Sequence, residues 1–193
     1  MRSVTVYCGS NPGADPAFAD ATRELARLLA SSGTRVVYGG GHVGLMGVLA
    51  DAAMQAGGEV VGVMPQALID REIGHRGLSD LRVVGSMHER KALMAELGDA
   101  FIALPGGIGT LEELIEVYTW SQLGMHRKPL GVLNVNGYYD ALGAFLDGAV
   151  EQRFLRPQHR SVLIFEPEPE TLLARLAHAE PPPLSKWLTQ AET

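Results

Sequence analysis

The chain has 193 residues, 46% of them apolar, and a domain of this length buries roughly 70% of the surface that its unfolded chain exposes, so one globular core is expected. The net charge of −6 disfavours a broad electrostatic platform for nucleic acid, and the single cysteine, Cys8, excludes an intramolecular disulfide and a Cys-rich metal site. The first residues lack the apolar stretch of a signal peptide and no run approaches the roughly 20 apolar residues of a membrane span, so we expect a cytoplasmic protein without membrane contact.

Short β-branched runs alternate with longer amphipathic stretches along the whole chain. The runs predict seven strands, at Ser3–Tyr7, Arg35–Tyr38, Glu59–Met64, Leu81–Val84, Ala100–Leu104, Leu130–Leu133 and Val162–Phe165. The stretches predict six helices, at Pro16–Ser32, Leu45–Ala56, Met87–Leu97, Thr110–Leu123, Tyr138–Gln152 and Pro169–His178. This alternation predicts an α/β fold, a single doubly wound, mostly parallel, Rossmann-like sheet with helices on both faces. We expect it to span residues 1–180, and residues 181–193, which begin with three prolines, to form a tail.

A first glycine-rich loop follows the second predicted strand. Gly39, Gly41 and Gly44 fit the spacing G-x-G-x-x-G between a strand and a helix. The next strand ends in Met64-Pro65, without the carboxylate that a dinucleotide site places against a ribose diol. The loop therefore favours a phosphate or ribose cradle, and the alternative is tight turning with close helix packing at Gly44 and Gly47.

A second glycine-rich loop, Pro105–Gly109, follows a buried strand and precedes a helix that is predicted to begin at Thr110. Helix N-termini present unpaired N–H groups and a partial positive charge, which suit a phosphate. The helix should pack on the sheet through one apolar face, made of Leu111, Leu114, Ile115 and Tyr118.

Glu113 has two interpretations from its spacing alone. With Thr110 it forms a capping box, in which the glutamate satisfies a backbone N–H; alternatively, its carboxylate faces the cleft. Ser86 and Glu89 form a second capping box, in which Glu89 is structural. Arg90 and Lys91 follow in the first turns of that helix, where cations are disfavoured, so either they bind an anion or they lie on a solvated face.

Two motifs in combination identify a family. The segments Ser86–Lys91 (SMHERK) and Pro105–Glu113 (PGGIGTLEE) resemble the LOG family, the cytokinin riboside 5′-monophosphate phosphoribohydrolases, many of them formerly labelled "possible lysine decarboxylase". The resemblance extends from Val4 to Tyr139 and leaves out the last fifteen or so residues.

The resemblance implies an enzyme that hydrolyses the N-glycosidic bond of a nucleoside 5′-monophosphate. It implies that Arg90 and Glu113 are the catalytic pair and that the family's homodimer places its active sites near the subunit interface. It also implies a substrate-binding set, namely Ser10, Gly40, Gly41, Glu72, Lys91, Gly106, Gly107, Ile108, Gly109, Thr110, Leu111, Glu112 and Thr119. The expected chemistry, an oxocarbenium-like transition state stabilised by a carboxylate, requires no metal or redox cofactor.

Three other functions remain open from the sequence. A decarboxylase would need pyridoxal phosphate and a Schiff-base lysine, for which the chain offers Lys91, Lys128 and Lys186. A non-catalytic carrier of a nucleotide or molybdenum cofactor shares the glycine-rich architecture, and a dinucleotide-dependent oxidoreductase is weakened by the missing carboxylate. His42 and His88 are interpreted as loop and cap residues, because no second metal ligand lies at helical spacing from either.

Overall fold

A computed structural model describes residues 1–69, 74–75 and 77–180 of the chain. Its seven strands are β1 (Ser3–Tyr7), β2 (Arg35–Tyr38), β3 (Val60–Pro65), β4 (Asp80–Val84), β5 (Ala100–Ala103), β6 (Leu130–Leu133) and β7 (Leu163–Glu166). Its helices are α1 (Pro16–Ser31), α2 (Gly44–Gln55), α3 (Gln66–Ile69), α4 (Met87–Leu97), α5 (Ile108–Gln122), α6 (Asp140–Glu151), α7 (Pro157–Arg160) and α8 (Pro169–Ala177). A short 3-10 turn, Val135–Gly137, follows β6.

The strands form one sheet in the order β4-β3-β2-β1-β5-β6-β7, and each neighbouring pair is parallel. The predicted α/β fold is therefore confirmed, and "mostly parallel" becomes entirely parallel for the described strands. Parallel strands need crossover connections, and helices α1, α2, α5 and α6 lie in those between neighbouring strands, whereas α4 lies in the long connection from the edge strand β4 to the central strand β5.

Helices cover both faces of the sheet. Successive side chains of a strand point to opposite faces, so one strand contributes to the core on each side. Val4 and Val6 of β1 belong to a buried cluster with apolar residues of α1, α2 and α8. Tyr7, at the end of the same strand, belongs to a second buried cluster with residues of α4, α5 and α6. Two cores separated by one sheet are the signature of the doubly wound arrangement.

The predicted element boundaries differ from the observed ones by one or two residues, which is the ordinary uncertainty of helix and strand ends. The four-residue helices α3 and α7 were not predicted, because one turn is too short to show a 3.6-residue period. The predicted tail, 181–193, lies outside the described residues.

Two findings concern membrane spans and metal sites within the described ranges. No helix there is long and apolar enough to cross a bilayer. No group of three or more histidine, cysteine, aspartate or glutamate side chains there is placed to hold a metal ion.

Candidate active site

The strand order reverses at the centre of the sheet, where β1 and β5 lie side by side. From this pair the sheet continues through β2 on one side and through β6 on the other. Open parallel sheets bind ligands at such a reversal, beyond the carboxyl ends of the strands. The two connections that leave β1 and β5 are joined there, since Gly9 N donates to Pro105 O at 3.1 Å and Leu104 N donates to Tyr7 O at 2.9 Å.

A cavity of about 400 Å³ lies at this reversal. Residues that are far apart in the chain line it, from the loop after β1, the first residue after β2, the start of α4 and the first turns of α5. A second cavity of about 260 Å³ adjoins it, and the two share Gly9, Ser10 and Gly107. Together they provide a concave site of the size used for small-molecule ligands.

The N-terminus of α5 forms one wall of the larger cavity. The helix begins at Ile108, and its N-cap residue, Gly107, makes no side-chain cap hydrogen bond. The first N–H groups of a helix have no partner within the helix and carry a partial positive charge. Among the described residues, no heavy atom lies within 4 Å of an ideal Cβ built on Gly107 or Gly109. This open turn suits an anion such as a phosphate.

Glu113 is not a helix cap. The helix begins two residues before the predicted start at Thr110, so Glu113 lies in its second turn and the capping-box interpretation is wrong. The second predicted box is confirmed in its N-cap half, since Ser86 Oγ accepts from Glu89 N at 3.1 Å, whereas Glu89 Oε2 accepts from Gly85 N, one residue before the N-cap, at 2.8 Å. Glu89 is therefore structural, whereas Glu113 is directed into the cavity.

Arg90 and Glu113 form an ion pair in the wall of the cavity. Arg90 Nη1 donates to Glu113 Oε1 at 3.1 Å, and the two side chains are only 11% and 12% exposed. Arg90 also donates from Nε to Val63 O at 3.0 Å and from Nη2 to Gly39 O at 3.4 Å. These bonds use three of the five guanidinium N–H donors and fix its plane against the ends of β2 and β3.

The electrostatics of Glu113 reflect two opposing effects. Burial raises the pKa of its carboxyl group above the ordinary value, and the Arg90 guanidinium acts in the opposite direction. The neighbouring carboxylates of Glu112 and Glu116 raise this pKa further. A raised carboxyl pKa next to a fixed cation in a cavity is typical of a catalytic acid or base.

Comparison with known proteins decides the family. The model of the family described as "Possible lysine decarboxylase" matches residues 46–176. A probable cytokinin riboside 5′-monophosphate phosphoribohydrolase of Oryza sativa subsp. japonica, LOGL5, is 50% identical over 183 residues, 95% of this chain and 74% of the relative. Arabidopsis thaliana LOG7, named for the same activity, is 46% identical over 181 residues, 94% of this chain and 83% of the relative.

The chain belongs to the LOG family. Solved structures agree with its fold. A structural-genomics protein superposes with a TM-score of 0.71 at 25% identity, over 93% of this chain and all of that one. The molybdenum cofactor binding protein of Rippkaea orientalis superposes with a TM-score of 0.69 at 18% identity, over 92% of this chain and 96% of that one. At that identity the second likeness is one of fold alone.

Most of the LOG motif residues are brought together at the cavities. Nine residues of the predicted site line one or both of them, namely Ser10, Arg90, Gly106, Gly107, Ile108, Gly109, Thr110, Glu112 and Glu113. Lys91 lines neither cavity, but its Nζ donates to Glu112 Oε1 in the wall of the larger one. Glu72 lies outside the described residues, and its predicted role stays a prediction.

Four predicted site residues are placed elsewhere. Gly40 and Gly41 are buried, and Gly40 O accepts from His75 N at 2.8 Å and Gly41 O accepts from Tyr38 Oη at 3.1 Å. Leu111 packs against the second buried cluster, which contains residues of α4, α5 and α6. Thr119 lies three turns along α5 on its exposed side, with its hydroxyl donating to Ile115 O at 2.7 Å. Among the described lining residues none of these four is present.

The first glycine loop makes room for the side chain of Arg90. An ideal Cβ on Gly39 would lie 1.8 Å from Arg90 Nη2, so only glycine leaves room for the guanidinium. Close packing, the alternative interpretation of this loop, is confirmed at Gly44 and Gly47. A Cβ on Gly44 would lie 2.3 Å from Ser10 C, and one on Gly47 would lie 2.2 Å from His42 O.

Lys91 joins α4 to α5 rather than offering a free amine. Its Nζ donates to Glu112 Oε1 at 2.6 Å and to Glu116 Oε1 at 3.1 Å, and its side chain is 11% exposed. The hydrogen bonds that the ammonium group donates to these carboxylates raise its pKa. A protonated, ion-paired amine is a poor nucleophile, and this disfavours a Schiff-base lysine at Lys91.

The sequence allowed Met46 and Met87 either a core or a pocket-wall position, and sequence reasoning missed Leu68 and one support of the cavity. Met46, Leu68 and Met87 line the larger cavity together with the thiol-bearing Cys8. Tyr138 lines the smaller one, and its hydroxyl donates to Gly106 O at 2.7 Å. Methionines occur so often in cores that their spacing carried no signal, whereas Tyr138 lies in the Gly137-Tyr138-Tyr139 segment of the family resemblance.

Proposed function

We propose that this chain hydrolyses the N-glycosidic bond of cytokinin-type adenosine 5′-monophosphates and releases the free base and ribose 5-phosphate. The observation that carries the proposal is the buried Arg90–Glu113 ion pair beside the open N-terminus of α5. An anion site next to a carboxylate of raised pKa matches a substrate with a phosphate at one end of its sugar and a scissile bond at the other. The names of the plant relatives support the same activity.

The 5′-phosphate would bind the N–H groups at the start of α5. Gly107, Ile108, Gly109 and Thr110 line the larger cavity, and the partial positive charge of the helix end attracts an anion there. Binding at this point explains a preference for monophosphates over nucleosides.

In the reaction the C1′–N bond breaks, its electron pair leaves with the base, and a C1′–O bond forms with water. Positive charge develops on the sugar, and the ionised Glu113 stabilises it and accepts a proton from the attacking water. The proton balance closes when the departing base nitrogen takes up a proton.

Arg90 has two functions in this scheme. It favours the ionised form of Glu113, which burial alone would disfavour. It also has further guanidinium N–H groups that a substrate oxygen can accept from, and a guanidinium binds oxyanions with defined geometry.

An adenine with an apolar side chain fits the remaining wall of the larger cavity. Met46, Leu68, Met87 and Ile108 are among the residues that line it. Flexible methionines accommodate an irregular hydrocarbon group. This lining supports prenylated adenosine monophosphate as the preferred substrate over plain AMP.

We also propose a homodimer formed through the exposed face of α5. Ile108 and Ile115 are 82% and 37% exposed, although Ile115 was predicted to face the sheet. Together with Thr119 they follow one helical stripe that begins at the cavity. Thr119 lies about 16 Å along the helix from Ile108, so a nucleotide contact by Thr119 would be made to the partner's site.

A product screen tests the activity. The purified chain is incubated with AMP, isopentenyl-AMP, GMP and the matching nucleosides, and free base is measured by chromatography. We expect base release from the adenosine monophosphates and loss of turnover by about a hundredfold or more in Glu113→Gln. Glu24→Gln is the control, because Glu24 is an exposed carboxylate of α1 that lines neither cavity.

The alternative is a carrier that binds a nucleotide or cofactor without turnover, which the fold of the molybdenum cofactor proteins allows. Nucleotide binding without release of any base would favour the carrier. Equal turnover in the wild type and Glu113→Gln would remove Glu113 from the chemistry.

A further inference from the structure

Two consecutive tyrosines hold the segment that leads into α5. Tyr138 Oη donates to Gly106 O at 2.7 Å, and Tyr139 Oη donates to Leu104 O at 2.8 Å. They follow a tight turn in which Asn136 and Gly137 have φ angles of 50° and 72°. The turn is held by Asn134, whose side chain accepts from Tyr139 N at 2.7 Å.

The bond from Tyr138 acts on a single peptide unit. The carbonyl of Gly106 and the N–H of Gly107 belong to the same planar, trans peptide, so they point in opposite directions. Tyr138 lines the smaller cavity, whereas Gly107 lines both cavities. Fixing the carbonyl toward Tyr138 therefore directs the N–H of Gly107 away from Tyr138.

This peptide joins a closely packed glycine to an open one, since an ideal Cβ on Gly106 would lie 2.1 Å from Thr110 Oγ1. Gly107 has no heavy atom of the described residues within 4 Å of an ideal Cβ. Residues without a Cβ have the largest conformational freedom. A hydrogen bond to the carbonyl limits this freedom and, by polarising the peptide, strengthens its N–H as a donor.

We propose that Tyr138 is a positioning residue for substrate binding: its hydroxyl orients the Gly106–Gly107 peptide so that the N–H of Gly107 binds the 5′-phosphate. This rests on the proposed function of the same site. Tyr138 itself does not touch the reacting atoms.

The tyrosine ring is held from two sides. It makes edge contacts with Phe18, at 5.4 Å between ring centroids, and with Tyr139, at 4.9 Å. The turn before it is tied to the loop after β1, because Asn136 Nδ2 donates to Asp15 Oδ2 at 2.9 Å. Asp15 in turn caps α1 by accepting from Ala17 N at 2.9 Å. The hydroxyl is therefore presented by a fixed ring.

Tyr138→Phe tests the proposal, because it keeps the ring contacts and removes only the hydroxyl. We expect KM for the nucleoside monophosphate to rise about fivefold, with kcat changed by less than about twofold. The dissociation constants of inorganic phosphate and ribose 5-phosphate, measured by calorimetry, should rise by about the same factor. The KM of a nucleoside without phosphate should stay unchanged.

Tyr118→Phe is the matched control. Tyr118 Oη donates to His159 O at 2.9 Å, so the variant loses the same kind of bond on the core side of α5. We expect a lower melting temperature in this control and unchanged phosphate affinity.

Equal phosphate affinity in Tyr138→Phe and the wild type would overturn the proposal, as would an equal rise in the control. If the wild type releases no base but binds phosphate, the proposed activity fails while the calorimetric comparison still decides the role of Tyr138. If the wild type binds neither phosphate nor ribose 5-phosphate, both proposals fail.

Discussion

Gly39 has no side chain, and the guanidinium of Arg90 occupies the space that a side chain at position 39 would need. An ideal Cβ on Gly39 would lie 1.8 Å from Arg90 Nη2 and 3.0 Å from its Cζ, while Gly39 O accepts from the same Nη2 at 3.4 Å. The loop after β2 therefore both makes room for the guanidinium and binds it. A glycine of the first motif therefore positions the arginine of the proposed catalytic pair.

Gly39→Ala should displace Arg90 and lower kcat/KM by about a hundredfold, because small displacements of catalytic groups are that costly. It should also lower the free energy of unfolding by about 1–3 kcal/mol through overpacking. In an Arg90→Ala background the same substitution should cost little, since the methyl group then has space. Activity assays and a double-mutant cycle on chemical denaturation measure both effects; additive losses would contradict the steric account.

The pH dependence of the reaction should report Glu113. In the proposed mechanism only the ionised carboxylate stabilises the sugar cation, and burial raises its pKa, so kcat/KM should fall on the acid side around a pKa above the ordinary glutamate range. In Arg90→Gln the opposing positive charge is lost, so this acid limb should move to higher pH. An unchanged or lower acid limb in Arg90→Gln would be inconsistent with the observed ion pair.

The same shift affects stability with a defined sign. A carboxyl group whose pKa is higher in the folded than in the unfolded state binds more protons when folded, so folding stability falls as pH rises from the ordinary value to the raised one. Glu113→Gln lacks this titration, so its stability relative to the wild type should increase over that pH window. Denaturation at a series of pH values measures the difference.

Gly107→Ala separates folding from anion binding. A Cβ there meets no described heavy atom within 4 Å, and the φ of −92° is open to alanine, so the melting temperature should stay equal or rise. If a phosphate approaches this backbone closely, the methyl group should raise KM about tenfold or more. Gly148→Ala, at an equally open position in α6, is the control, and should leave KM unchanged.

Ile115→Asp tests the interface along α5. A charge in the middle of an apolar contact is costly to bury, so we expect monomers in sedimentation velocity and an increase in KM. Phe154→Asp, at a 90% exposed aromatic outside α5, should remain dimeric. A monomeric wild type, or dissociation only in the Phe154 variant, would place the proposed interface elsewhere or remove it.

The sequence predicted the sheet well because its strands are short apolar runs bounded by glycine and polar residues. The start of α5 was predicted late, because Gly109 suggested loop rather than helix. That error produced the capping-box interpretation of Glu113, since the box depends on where the helix begins. Ile115 was assigned to the buried face for a different reason, because spacing alone cannot distinguish adjacent stripes of a helix.

The candidate site was predicted as a set of residues but not as an arrangement. Family resemblance identified Arg90 and Glu113, yet their contact joins α4 to α5, and no local pattern encodes it. The association of Gly39 with Arg90 is equally non-local, so the first glycine loop was interpreted only through its own motif. Tyr138 shows the same limit, because its partner Gly106 lies thirty-two positions earlier in the chain.

The pairing of Val4 with Ala100 at the centre of the sheet has a consequence for synthesis on the ribosome. The two strand ends that carry the ligand loops are made far apart in time, and α5 follows the second of them. A nascent chain that ends before α5 cannot contain the assembled pocket. Catalytic competence should therefore emerge only after more than half of the polypeptide has left the exit tunnel. Closing so long a stretch of chain is also the entropically costly step of folding, and refolding should be slow for a domain of this size.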